Sequence, residues 1–164
     1  VLGSRGSVIP FFRELIKEGV TELPITDDRM TRFWITLGQA VDFTMSCVSI
    51  MRGGEIFVPK IPSMRITDLV EALAPGMATK HVGIRPGEKL HEIMITEHNA
   101  RNTVDYGDRY IIEPEWNFWD RKSHIEDGHP VMDEGFEYSS DTNDHWLGVS
   151  ELKSILSGIP DSGA

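Results

Sequence analysis

An α/β fold is what this chain of 164 residues predicts, and three observations predict it. Strand-like and helix-like segments alternate from the start to residue 96, the order expected where helices pack on a sheet. The length suits one respectable core, so a single domain is the default, and a hydrophobic content of 40% is ordinary for a globular protein. The opening VLGSRGSVIPFF runs an apolar pair into a Gly-Ser loop and then into a helix. It begins without methionine and reads as a fragment whose first strand has been cut away.

The elements follow in order. Pro10 suits the first turn of a helix carrying Ile9, Phe12, Leu15 and Ile16 on one face, and Gly19 ends it. ELPIT and MTRFWIT are short strands. Thr36 can cap a helix in which Ala40, Val41, Met45 and Val48 recur at helical spacing until Gly53-Gly54 stops it. EIFVPK is predicted as a buried strand. Thr67 can cap DLVEALA, with Asp68 favourable in its first turn, and HVGI followed by EKLHEIMI predicts a further strand and helix. Beyond residue 96 the order loosens: RYIIEP is a strand, residues 115–145 have no period, and VSELKSIL is a last helix behind a possible Ser150 cap.

Charge narrows the function. The net charge of −10 is unevenly placed: residues 1–96 balance 11 basic against 11 acidic side chains, while residues 97–164 hold 5 against 15. Nucleic acid and membrane surfaces are therefore poor partners, while a small anion held by a few arginines fits the neutral half. No apolar run reaches the roughly 18 to 20 residues of a membrane span, and the start has no signal-peptide pattern. A single cysteine, Cys47, fits a reducing, cytoplasmic setting and reads as buried filler.

The stretch KHVGIRPGEKLHE places Arg85 at the end of a predicted strand, where α/β folds bind ligands, and a guanidinium fork suits phosphate oxygens. Pro86 preorganises the turn, Gly87 allows close approach, and Glu88 offers an acceptor to a sugar hydroxyl. The alternative is a surface turn with Arg85 bridged to Glu88 or Glu92. Arg32, inside a strand pattern, must face solvent or meet an anion. GSRGSV could present amides to a phosphate, yet the third glycine of a dinucleotide fingerprint is missing, and a plain turn is the alternative. His124 and His129 frame HIEDGH without ligand-pair spacing, so a solvated acidic turn is expected there and no metal.

Taken together and in order, VLGSRGSVIPFF, PITDDRMTRFWITL, GGEIFVPKIPSMRITDL, VGIRPGEKLHE and FEYSSDTNDHWL resemble the second half of the inverting UDP-N-acetylglucosamine 4,6-dehydratases. These are extended short-chain dehydrogenase/reductases of bacterial surface-sugar and flagellin-glycan synthesis, such as that of pseudaminic acid. The resemblance spans residue 1 to about residue 156.

It implies a carboxyl-terminal half carrying the last Rossmann strands and a small α/β substrate-binding region. Residues 1–96 would form that nucleotide-sugar-binding part, and residues 97–164 an acidic tail packed on the same domain. It implies NADP held mainly by an absent amino-terminal half and touched here by Val1, Leu2, Gly3, Ser4 and Arg5. UDP-N-acetylglucosamine would be touched by Val8 and the backbone at Glu22, clamped at its diphosphate by Arg32 and Arg85, and bonded at a ribose hydroxyl by Glu88. The family's Tyr-x-x-x-Lys pair is absent: Tyr106, Tyr110 and Tyr138 are followed four residues on by Tyr110, Pro114 and Thr142. No catalytic residue is therefore assigned, and a homo-oligomer is expected of the whole enzyme. A UDP-sugar 4-epimerase, or a nucleotide-sugar binding module without catalysis, are the alternatives.

Overall fold

A computed structural model of the protein describes residues 7–116 and 119–158. The elements in chain order are α1 (Val8–Lys17), β1 (Glu22–Ile25), β2 (Thr31–Phe33), α2 (Leu37–Val48), β3 (Ile56–Pro59), β4 (Ser63–Arg65), α3 (Ile66–Leu73), β5 (Ala78–His81), β6 (Ile93–Ile95), α4 (Glu97–Ala100), β7 (Thr103–Asp105), β8 (Arg109–Ile112), β9 (Tyr138–Ser139) and α5 (Val149–Ser157). They fall into two compact units interleaved along the chain. The first takes residues up to Leu37, then Pro62–Glu92, then those from Ser140 on, and the second takes Gly38–Ile61 and Ile93–Ser139.

In the first unit β1 and β5 run parallel, with Glu22 opposite Ala78 and Ile25 opposite His81, while β2 and β4 pair antiparallel. The amphipathic face of α1 buries Ile9 and Phe12, α3 adds Leu69 and Val70, and α5 adds Leu152 and Leu156 to one core with Leu23 and Ile25 of β1. Each fully buried aliphatic or aromatic side chain contributes on the order of 1.5–3 kcal/mol. In the second unit β3, β8 and β7 form an antiparallel sheet in that order, and β6 pairs with β9. Val58, Val104 and Ile111 are buried in it.

The mixed α/β class holds, and several local expectations are corrected. No helix forms over EKLHEIMI. The backbone groups that a helix would keep are taken by distant partners: Thr31 N–H donates to the Leu90 carbonyl at 3.1 Å, Ser140 N–H to that of Glu92 at 2.8 Å, and Glu92 N–H to the Ser140 hydroxyl at 2.9 Å. The segment is a turn leading into β6 instead. The strand expected over HVGI lies earlier, over Ala78–His81.

The helix α3 starts one residue ahead of Thr67, with Arg65 at its N-cap, and α5 starts behind Gly148 rather than Ser150. There Glu151 Oε2 accepts from the Gly148 N–H at 2.9 Å, which satisfies an amide that a serine was expected to serve. β3 is an edge strand, so Ile56 is 60% exposed and only Val58 is buried, against the buried strand predicted. Cys47 is buried as expected, and its sulfur accepts from Arg109 Nη1 at 3.2 Å.

Candidate functional site

Two parallel strands end side by side in the first unit, and beyond their carboxyl ends lies a cleft of about 700 Å³. Thr26, just past β1, and Val82, just past β5, line it together with the first turns of α1 and residues 32–35 of β2 and its continuation. Open α/β sheets bind ligands at this end of their strands.

Of the residues named from sequence, Val8, Arg32, Arg85 and Glu88 all line this cleft. Glu22 does not: it opens β1, is exposed, and lies at the opposite end of the strand. Val1, Leu2, Gly3, Ser4 and Arg5 lie outside the described residues.

Arg85 and Glu88 close a tight turn. Glu88 N–H donates to the Arg85 carbonyl at 3.0 Å, and Arg85 N–H donates back to Glu88 Oε2 at 3.2 Å. Pro86 and Gly87 hold the corner, with Gly87 at φ +83°, a backbone angle that suits glycine after proline in a type II turn. Thr26 donates its hydroxyl to Glu88 Oε1 at 3.1 Å, tying the turn to the end of β1. The Glu88 carboxylate is thus engaged inside the turn, while the Arg85 guanidinium is exposed and makes no ion pair or hydrogen bond among the described residues. The bridges to Glu88 or Glu92 that a plain surface turn would have are not formed by its side chain.

Arg32 behaves differently. Its Nη1 donates to the carbonyls of Thr31 at 2.7 Å and Leu90 at 3.0 Å, its Nη2 to that of Lys89 at 2.8 Å, and its Nε lies 3.4 Å from Glu92 Oε1. A guanidinium has five N–H donors, and most of this one's are directed at the chain just behind the Arg85 turn. Arg32 braces that turn and brings a second positive charge to the cleft wall.

Two cleft residues were given no side-chain role from the sequence. Trp34 is 5% exposed, and its indole nitrogen is buried without a hydrogen-bond partner. Ser7 occupies the N-cap of α1 without capping it, its hydroxyl also buried and unpartnered. The aromatic pair beside Arg32 was the one visible signal.

HIEDGH forms the acidic turn expected, exposed at residues 125–128, but its first histidine turns inward. His124 lies in the second unit at 1% exposure, its ring edge-on to Tyr106 and its Nε2 3.7 Å from Glu55 Oε1. Arg121 pairs with both Glu55 and Glu113, which are as buried as it is. Burial alone would raise the Glu55 pKa, but N–H donors from Arg52 at 2.8 Å and Gly53 at 2.7 Å, with the Arg121 charge, hold it below its ordinary value. Burial, aided by the Arg52 charge, pushes His124 down. No group of three or more His, Cys, Asp or Glu side chains among the described residues is placed to hold a metal ion.

The parallel strands with a cleft at their carboxyl ends fit an α/β protein, and the relatives place it among those of the short-chain dehydrogenase/reductase kind. Within that class the chain belongs to the polysaccharide biosynthesis protein family, whose family model matches residues 1–114. It is 52% identical over 162 residues to the UDP-N-acetylglucosamine 4,6-dehydratase (inverting) of Campylobacter jejuni subsp. jejuni serotype O:2, covering 95% of this chain and 48% of that protein. To the UDP-glucose 4-epimerase of Rickettsia canadensis it is 33% identical over 160 residues, covering 95% of this chain and 46% of the relative. Among solved structures, the X-ray structure of Pen from Bacillus thuringiensis matches with a TM-score of 0.77 at 30% identity, over 96% of this chain and 46% of that one. The chain spans about half the length of the relatives it matches.

Proposed function

We propose that this chain is the substrate-binding half of an inverting UDP-N-acetylglucosamine 4,6-dehydratase that makes nucleotide sugars for surface polysaccharide or glycan synthesis. The observation that carries the proposal is the unpaired Arg85 guanidinium, set on a closed turn at the carboxyl ends of parallel strands. A planar fork without a protein partner is suited to two diphosphate oxygens, and a turn fixed by Thr26, Glu88 and Arg32 lowers the cost of ordering it. Arg32 adds charge and holds the turn, Val8 contributes apolar wall, and Glu88 has lone pairs left for a ribose hydroxyl. Identity of 52% with the dehydratase against 33% with the epimerase favours dehydration over epimerisation.

NADP, when bound, supplies hydride acceptance and return for such a reaction. The described residues do not by themselves fit that cofactor: their cleft offers one guanidinium without a partner, and no glycine-rich cradle for a second diphosphate.

Titration calorimetry with UDP tests the diphosphate site. A charge-assisted hydrogen bond contributes about 1.5–3 kcal/mol, so Arg85→Ala is expected to weaken UDP roughly ten- to a hundredfold. Arg85→Lys keeps the charge, loses the two-point geometry and costs less, and Glu88→Gln costs less still. An Arg85→Ala chain with the parent's circular dichroism and the parent's UDP affinity would return Arg85 to a plain surface turn.

A further inference from the structure

The buried side-chain polar atoms without a partner, among the described residues, belong to Ser7, Trp34 and His124, and two of these three residues line the same cleft. We infer that Trp34 is a specificity-determining residue of that cleft, its indole N–H donating to a carbonyl oxygen of the bound nucleotide sugar, with the Ser7 hydroxyl as a second polar contact. The inference rests on the nucleotide-sugar reading of the cleft and adds to it a recognition point away from the diphosphate.

A buried donor without an acceptor is costly and therefore uncommon, and a ligand that supplies the acceptor removes the cost on binding. Trp34 is fixed from behind: its backbone N–H donates to the Pro62 carbonyl at 2.8 Å, and it follows directly on β2. Ser7 adds an independent sign. Serine at an N-cap ordinarily accepts from the first turn of its helix, and its backbone here has the extended N-cap conformation, yet the hydroxyl makes no such bond.

The chemistry of the acceptor follows from the donors. An indole nitrogen only donates, so the ligand atom must accept. Phe11, Phe33 and Ile35 make much of the cleft wall apolar, which disfavours bringing a phosphate there when the unpaired Arg85 is available. A carbonyl oxygen has two lone pairs and no hydrogen, so it pairs with Trp34 and Ser7 without introducing a new orphan donor. A UDP-N-acetylhexosamine has such carbonyls on its uracil ring and on its N-acetyl group.

The test compares UDP, UDP-glucose and UDP-N-acetylglucosamine as titrants of the 164-residue chain and its Trp34→Phe and Ser7→Ala variants. Trp34→Phe keeps an aromatic ring in the core and removes the N–H, with an expected loss of roughly three- to tenfold in affinity. A loss confined to UDP-N-acetylglucosamine assigns the N-acetyl carbonyl, and an equal loss for all three assigns the uracil. A loss shared by the two sugars but absent for UDP points to a sugar hydroxyl and overturns the carbonyl assignment. Unchanged affinities for all three overturn the role of Trp34 while leaving the nucleotide-sugar site intact. A parent chain that binds none of them sinks that site and this inference with it.

Should Trp34→Phe fail to fold, the parent provides the reading directly. Proton–nitrogen spectra contain an indole signal for each of the 4 tryptophans, which Trp116→Phe, Trp119→Phe and Trp146→Phe assign by elimination. The Trp34 indole proton is expected to move downfield as ligand saturates the chain. A Trp34 signal that stays in place at saturation removes the proposed bond.

Discussion

At His124, burial and charge act on one ring from several sides. Glu55, Glu113 and Arg52 lie around it, with Tyr106 and His129 in edge-on ring contact, and neither ring nitrogen has a hydrogen-bond partner. Its folded pKa lies below that of an unfolded histidine, so the unfolded chain binds the proton more readily. Stability from this group is therefore intact above about pH 6.5 and lost as pH falls from there toward the folded pKa, by up to about 1.4 kcal/mol per pH unit. Glu55, held low, contributes above about pH 4.3 and loses that contribution only further into acid, so the two windows separate. Urea midpoints measured from pH 7 to pH 5 should fall for the parent and stay flatter for His124→Phe, which at pH 7 should be within about 1 kcal/mol of the parent or more stable. Equal slopes in both proteins would place the titration elsewhere. Arg85 and Glu88 were legible because turn chemistry is local, with Pro-Gly behind an arginine, whereas Val8 came only from the family resemblance. Trp34 and Ser7 were not, because an unsatisfied N–H or an idle cap is visible only once every neighbour is placed.

Helix α2 was legible in its start, ends at Val48 short of the Gly53-Gly54 stop expected, and was misleading in its implied burial. Val41, Met45 and Val48 recur at helical spacing, yet they are 51%, 66% and 59% exposed, and the one buried side chain of the helix is Cys47. An apolar stripe open to water favours association of one chain with another. Dynamic light scattering should show the parent growing in size with concentration, and Val41→Glu with Met45→Glu should suppress that growth while changing stability by no more than about 0.5 kcal/mol each. Association undiminished in the double variant would point to another surface. The segment EKLHEIMI failed for the opposite reason: its apolar spacing suits a helix, but Thr31 and Ser140, 59 and 48 residues away from their partners Leu90 and Glu92, claim its backbone. Local period cannot report a competitor so far along the chain.

On the scale of the whole molecule, the α/β class and the order of most elements could be read in advance, while the grouping of those elements could not. Strand β3 pairs with β8 across fifty or more residues, and nothing in composition marks where the chain leaves one unit for the other. Without a Tyr-x-x-x-Lys pair for acid–base work, the 164-residue chain supplied with UDP-N-acetylglucosamine and NADP should form no 4-keto sugar above a protein-free control. Turnover by pure material would refute the binding-half reading.

The interleaving of the two units also constrains how such a protein can be altered by inheritance. The chain crosses from one unit to the other after Leu37, Ile61, Glu92 and Ser139, so no single cut separates them. A genetic crossover between two relatives, at any one point between residues 38 and 139, leaves at least one unit as a chimera whose strands come from different parents. Exchange of a whole unit takes several breakpoints at once. Drift by point substitution, with cleft and core changing in step, is accordingly the more accessible route by which this architecture acquires a new binding preference.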